Sequence, residues 1–307
     1  MSSEISRRQF IAKAGMAALA LPLISWTGAG SAAFKKVVPG LKIGYAAITW
    51  GGDNTQAIKD IASLGFRGIQ LRADVMKQYG KRPEALWDIM DRHKLELCMF
   101  SSGDANINTG NDRKVIQQHL TNARFVEELG GQYMQVTNSS RPQEGAPTAA
   151  DLKKYGRLLN EIGKRTLDYG VQTTYHNHMH QLGQTPEEVD IIMDSCDEKN
   201  VKLLLDLGHY HQGGGSPEQA IRQYKNRIAA LHLKDVKATP DQGAGAYKFV
   251  ELGQGDLFIP GVVRALQEIK FKGWGIIELD EVPEKDKTPL DCAKESQSYL
   301  KSIGIKV

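Results

Sequence analysis

A chain of 307 residues, 41% hydrophobic and 24% charged, has the composition of a globular protein and carries no low-complexity tract. Its formal charge of +3 is too small to point to nucleic acid or to an anionic membrane surface. Three cysteines, Cys98, Cys196 and Cys292, are odd in number, widely separated and without metal-ligand spacing, so they read as buried free thiols.

The first segment in chain order reads as an address. Ser6-Arg7-Arg8-Gln9-Phe10-Ile11-Ala12-Lys13 precedes an apolar run from Ala14 to Trp26 and then small residues up to Ala33. That order of basic, apolar and small residues is that of an export signal. The paired arginines before Phe10 resemble the twin-arginine type, with cleavage expected near Ala33 and a periplasmic destination. The apolar run is short for a membrane span of roughly 20 residues, so no stable anchor is expected after cleavage. Removing Arg7, Arg8, Lys13 and Glu4 takes 39 basic and 36 acidic residues to 36 and 35.

From Leu41 to the C-terminus two textures alternate. Strand-like runs are predicted at Lys42–Thr49, Gly68–Ala73, Leu95–Ser101, Tyr133–Thr137, Val171–His176, Val201–Leu207, Ile228–Leu233 and Gly275–Leu279. Amphipathic helical patterns follow them at Thr55–Leu64, Arg82–His93, Arg113–Leu129, Ala149–Tyr169, Pro186–Cys196, Ser216–Asn226, Pro260–Ile269 and Leu290–Ile303. Thr185-Pro186-Glu187-Glu188 and Ser216-Pro217-Glu218 are helix starts, and Leu64-Gly65 and Leu129-Gly130 are helix stops. Eight uninterrupted strand–helix units predict an α/β fold of one domain, a closed (β/α)8 TIM barrel over residues 41–307. An open doubly wound sheet is the alternative; it lacks support because Thr49-Trp50-Gly51-Gly52-Asp53 after the first strand is no phosphate fingerprint.

In such a barrel the active site lies at the C-terminal ends of the strands. The fifth strand ends in His176-Asn177-His178, with His180 already in the loop beyond. The sixth is an apolar run ending in Asp206, with His209 three residues on. The seventh carries His232 and Lys234 on one face, and the eighth Glu278 and Asp280. Charge at the end of a buried apolar strand is costly unless paired or bound to metal. A structural ion pair such as Lys234 with Asp280 would explain one strand; four in succession predict a site. Two polar loops, 137–145 and 239–247, read either as lids or as plain solvated loops, and Tyr45, Trp50 and Tyr210 either line a pocket or pack.

The segments LLLDLGH (203–209), ALHLKD (230–235) and LGQGDLFIPGVVRALQEIKFKGWGIIELD (252–280) resemble the xylose isomerase-like barrel superfamily of sugar isomerases, sugar epimerases and inosose dehydratases. The resemblance implies one divalent metal held at the ends of the fifth to eighth strands. Asp206, His232 and Glu278 match three of its ligands. The fourth is commonly a glutamate, here replaced by His176, as in a similar Tyr-His-x-His-Met run of the inosose dehydratase branch. Mixed imidazole and carboxylate ligation favours Mn, Co or Zn over Mg. The resemblance further implies His209 as a contact to a substrate hydroxyl and Lys234 as a substrate or carbonyl-polarising residue. With His176 committed as a ligand, Glu278 is the remaining candidate base, itself also a candidate ligand, and His178, His209 or Lys234 is the candidate acid.

The expected substrate is a small sugar, keto-sugar or keto-cyclitol, attacked by removal of the proton beside its carbonyl. Loss of one glutamate weakens the two-base symmetry of an epimerase and moves the expectation toward a dehydratase or hydratase; a two-base epimerase or an aldose–ketose isomerase stays as the alternative. A periplasmic sugar-binding protein is a reading from another class. The DNA-repair endonuclease branch is disfavoured, since the second strand carries Gln70 and Arg72 where further metal ligands would be needed, and His93 and His119 fall in helical patterns. Whether the chain forms a homo-oligomer is left open by the sequence.

Overall fold

The computed structural model describes residues 38–243 and 245–307. The predicted export segment, residues 1–33, lies outside the described residues. Eight parallel strands close into a barrel: β1 (Leu41–Ala46), β2 (Gly68–Arg72), β3 (Glu96–Ser101), β4 (Tyr133–Val136), β5 (Gln172–His176), β6 (Val201–Asp206), β7 (Ile228–Leu233) and β10 (Gly273–Ile277). Each strand pairs with its successor, and β10 closes the ring against β1, with Leu41 opposite Gly273 and Tyr45 opposite Ile277. No helix among the described residues is long and apolar enough to cross a membrane.

The outer layer consists of α1 (Asn54–Ser63), α2 (Met76–Tyr79), α3 (Pro83–Arg92), α4 (Asp112–Glu128), α5 (Ala149–Thr166), α6 (Pro186–Asp194), α7 (Leu207–Gln212), α8 (Pro217–Gln223), α9 (Ile259–Glu268) and α10 (Pro289–Ser302). Helix starts follow the local chemistry: Thr185 Oγ1 accepts from Glu188 N with Pro186 in the first turn, and Ser216 with Pro217 repeats the device. The main core fills the space between helices and barrel wall. A second, smaller cluster of Ala46, Cys98, Met99, Leu204, Ala230, Trp274 and Ile276 fills the barrel itself. These interior residues precede the candidate ligands by two: Leu204 before Asp206, Ala230 before His232, Ile276 before Glu278. Side chains two apart on a strand share a face, so an apolar layer forms the floor beneath a polar one.

Several boundaries differ from the sequence reading, each for a local reason. The first strand stops at Ala46, because Ala47–Trp50 winds into a 3-10 turn ended by Gly51 at φ 60°. The sixth stops at Asp206, whose Oδ1 caps α7 by accepting from His209 N at 2.8 Å. The eighth barrel strand starts two residues early and ends at Ile277, so Glu278 is the first residue beyond it. The stretch read as a loop at 239–247 belongs to an antiparallel hairpin of β8 (Asp235–Ala238) and β9 (Tyr247–Val250). Tyr45, Trp50 and Tyr210 are buried; Tyr45 and Trp50 pack edge to face, and Trp50 Nε1 donates to Asp60. All three cysteines are free and buried.

Two buried polar anchors hold the loops that frame the barrel mouth. Asp235 gathers four backbone amides: Val236 N (3.0 Å) and Leu257 N (3.2 Å) on Oδ1, Gly253 N (2.9 Å) and Gly255 N (3.1 Å) on Oδ2. Glycine at 255 is required by this approach, since a Cβ there would lie 2.2 Å from Asp235 Oδ1.

His119 on α4 is the second anchor. Ser102 donates to its Nδ1 at 2.6 Å, its Nε2–H donates to Asp104 O at 3.1 Å, and Asn122 donates to Ser102 Oγ at 2.8 Å. Burial lowers its pKa to about 4, whereas an unfolded histidine titrates near 6.5. The unfolded chain therefore binds the extra proton between these values. Stability from this group is complete above pH 6.5 and is lost as pH falls toward 4, by about 3 kcal/mol. Urea midpoints at pH 7 and pH 4.5 should therefore differ more for the parent than for a His119→Gln variant. Equal differences would show that this imidazole titrates alike in the folded and unfolded chain.

Candidate metal centre and cleft

Four adjacent strands of the ring, β5, β6, β7 and β10, each deliver one side chain to a single point above the apolar floor. His176, Asp206, His232 and Glu278 each offer a ligand atom, and those atoms lie within 4.8 Å of one another. His176 Nε2 is 2.9 Å from His232 Nδ1, and Asp206 Oδ2 is 3.4 Å from the first and 3.3 Å from the second. Glu278 Oε2 is 3.3 Å from His232 Nε2. All four are buried. Asp206 Oδ2 is buried without a hydrogen-bond donor, while the other oxygen of the same carboxylate is used by the helix cap. A buried carboxylate oxygen without a donor, facing two imidazole nitrogens, is a group arranged to take a divalent cation.

Charge supports the same reading. Lys234 Nζ, 1% exposed, lies 2.9 Å from Glu278 Oε1, 2.9 Å from Asp280 Oδ1 and 3.6 Å from Asp206 Oδ2. Burial disfavours its charge, but the three carboxylates outweigh burial and raise its pKa above the ordinary lysine value. Burial would likewise raise Glu278 and Asp206. For Glu278 the opposing His232 and Lys234 prevail and bring it to about 2; for Asp206, Lys234 and His209 hold it well below the carboxylate range. Desolvation lowers His176 to about 4, keeping it a neutral donor. One ammonium among three carboxylates leaves net negative charge, which a divalent cation would neutralise. Gly208 makes room for this lysine: a Cβ there would lie 2.9 Å from Lys234 Cγ.

The cleft beside the cluster has a volume of about 180 Å³. One wall is His176, His178, Glu278 and Asp280; facing them are Gln70 and Arg72 of β2, with Gln135 and Asn138 at and after β4. His178 anchors Nδ1–H on Met179 O at 2.7 Å, leaving Nε2 for other contacts. His209, on α7 and not on the strand face, lies behind the lining: its ring stacks 3.8 Å from that of His178, and its Nε2 is 3.4 Å from Lys234 Nζ. Phe249 of the hairpin closes the stack, 5.2 Å from His209 and 4.5 Å from Lys234 Nζ. His180 occupies a turn at φ 63°. His93 ends α3 and His119 is bound to Ser102, so neither joins the cluster.

The amides of Gln70 and Gln135 were not singled out by the sequence as site residues. Their only signal there is a polar residue inside a short apolar strand, Gly-Ile-Gln70-Leu and Tyr-Met-Gln135-Val.

Fold and site together define a TIM barrel with a candidate metal centre at its strand ends. A profile of the xylose isomerase-like TIM barrel family matches residues 58–303. The chain belongs to that family. An inosose dehydratase of Clostridium beijerinckii is 26% identical over 295 residues, covering 85% of this chain and 96% of that protein. The solved structure of the IOLI protein with a zinc atom has a TM-score of 0.72 at 18% identity, covering 85% of this chain and 98% of that one. A probable 3-DHS dehydratase, AsbF of Bacillus anthracis, has 0.69 at 16%, covering 85% and 98%. At these identities the two structures speak to the fold.

Proposed function

We propose that this enzyme removes water from a keto-sugar or keto-cyclitol, or adds it in the reverse direction, through abstraction of the proton beside the ketone. The observation that carries the reading is the make-up of the cleft. Glu278 borders it as a carboxylate held ionised, while the β5 position on the same wall carries the neutral His176, and the facing wall presents amides. An epimerase of the two-base kind needs a proton acceptor on each face of the reacting carbon. The relatives named inosose dehydratase, matched over nearly their whole length, support the same choice.

His176, Asp206, His232 and Glu278 would hold a divalent ion, with Mn, Co or Zn favoured over Mg by the imidazole donors. When bound, the ion supplies Lewis acidity toward the substrate carbonyl. Glu278 takes the proton from the α-carbon. The electron pair of that C–H bond becomes the new C=C bond as the adjacent C–OH bond breaks. His178, protonated on Nε2, gives its proton to the departing hydroxyl, and water leaves. Lys234 and His209 act from behind the lining, Lys234 by keeping Glu278 ionised and His209 by supporting the His178 ring. The twin-arginine pattern at Arg7-Arg8 supports a periplasmic location, for which cell fractionation is the test.

Metal-loaded protein incubated with keto-inositol or a keto-hexose in D2O separates the readings. The expected result is a conjugated, dehydrated product growing in the ultraviolet, with no deuterium on the former α-carbon, whose hydrogen has been given up to form the C=C bond. A deuterated, inverted product with no unsaturated species would overturn the dehydratase reading in favour of an epimerase.

A further inference from the structure

Gln70 stands on β2, yet its amide lies within hydrogen-bond distance of two of the four candidate ligands. His232 Nε2 is 2.9 Å from Gln70 Oε1. Gln70 Nε2 is 3.0 Å from Gln135 Oε1 and 3.3 Å from Glu278 Oε2. Gln135 Nε2 lies 2.8 Å from Thr137 Oγ1, a hydroxyl able to accept from it. Both amides are buried, so neither can exchange these partners for bulk water.

The two ends of an amide are chemically unlike, and here only one orientation satisfies every neighbour. The Glu278 carboxylate can only accept, so it turns the Gln70 NH2 toward itself and toward Gln135, whose carbonyl then faces β2. The Gln70 NH2 must then face two acceptors, that carbonyl and the Glu278 carboxylate. Its own carbonyl is left facing His232, and an acceptor there requires the proton on Nε2. The lone pair of His232 consequently sits on Nδ1, the atom that faces His176 Nε2 and Asp206 Oδ2. Turning the Gln70 amide over would set oxygen against carboxylate and would call for the other tautomer, which places a hydrogen where a ligand lone pair is needed. By contrast, His176 Nδ1 has no partner among the described residues, so the site has this control on only one of its imidazoles.

We propose that Gln70, held in orientation by the Glu278 carboxylate, is a positioning residue that selects the Nε2–H tautomer of His232 and so keeps Nδ1 open for a divalent metal. The proposal rests on the metal reading above, and a metal-free measurement keeps the two separable. The parent, Gln70→Met and Gln70→Glu, labelled with 15N-histidine, are compared by NMR without metal at pH 7.5. Zinc affinity is measured in parallel by competition with a coloured chelator.

The parent should show His232 as one tautomer protonated on Nε2. Gln70→Met should show a mixture, with zinc bound about 10–100-fold more weakly, the range typical of lost partners of metal-binding histidines. Gln70→Glu keeps an acceptor toward His232 and should retain the single tautomer. A single Nε2–H tautomer in Gln70→Met, or an Nδ1–H form in the parent, would overturn the proposal. Should Gln70→Met fail to fold, Gln70→Glu still decides: loss of the Nε2–H form there counts against it. A parent that binds no zinc would sink the metal reading, while the tautomer comparison would still judge Gln70.

Discussion

Asp206→Ala protein, purified and subjected to elemental analysis, should contain little of the metal expected in the parent, and its turnover should fall roughly 10³-fold. The size follows from losing several kcal/mol of charge stabilisation at the reacting carbonyl, where about 1.4 kcal/mol corresponds to tenfold. Asp206 serves two structures at once: Oδ2 faces the imidazoles and Oδ1 caps α7 through His209 N. Alanine therefore also removes a cap worth about 1 kcal/mol, which by itself would leave the enzyme folded. Asp206→Asn separates the two effects, because its carbonyl can keep the cap while the anionic ligand is gone. Both variants should be metal-poor. An Asp206→Ala protein that retained full metal and full turnover would remove the basis for the proposed chemistry. One that bound sugar unchanged without metal would favour a binding protein instead.

The second large effect expected is on stability. Asp235→Ala should lower the thermal midpoint by about 10 °C. Four backbone amides converge on this one carboxylate, and each buried donor left unmatched costs about 1–3 kcal/mol, less where water can reach it. A net loss near 4 kcal/mol gives a shift of that order for a domain of this size. Asn is no remedy, since its NH2 would oppose the Gly253 and Gly255 amides. A melting curve unchanged in Asp235→Ala would mean that the 251–258 loop is held by its apolar contacts, Leu252 and Leu257, and not by the carboxylate.

Much of this architecture was legible from residue order because inward-facing positions repeat every second residue. In Leu204-Leu205-Asp206, Ala230-Leu231-His232 and Ile276-Ile277-Glu278 an apolar interior residue is followed two later by a polar one, which marks both the strand face and the mouth of the barrel. The strands of the hairpin are four residues each and lie in a stretch rich in glycine, too short for alternation to stand out. Helix α7 hid behind Asp206 because Leu207-Gly208-His209 continues an apolar run, and only the cap geometry shows where extended backbone ends. The amides of Gln70 and Gln135 carry no charge to make them conspicuous. Their partners lie 162 and 65 residues away in sequence, so the contacts exist only once the ring has closed.

The ring also divides its labour. Strands β5, β6, β7 and β10 carry the ionisable cluster, whereas β2, β3 and β4 bring Gln70, Arg72, Ser101 and Gln135 to the opposite wall. The ionisable cluster and the wall facing it thus come from different stretches of the chain, one after residue 170 and one before residue 140. A sequence could exchange its early strand ends and reshape that wall while keeping the same buried cluster. Gln70, whose amide is hydrogen-bonded to both sides, does not share that freedom.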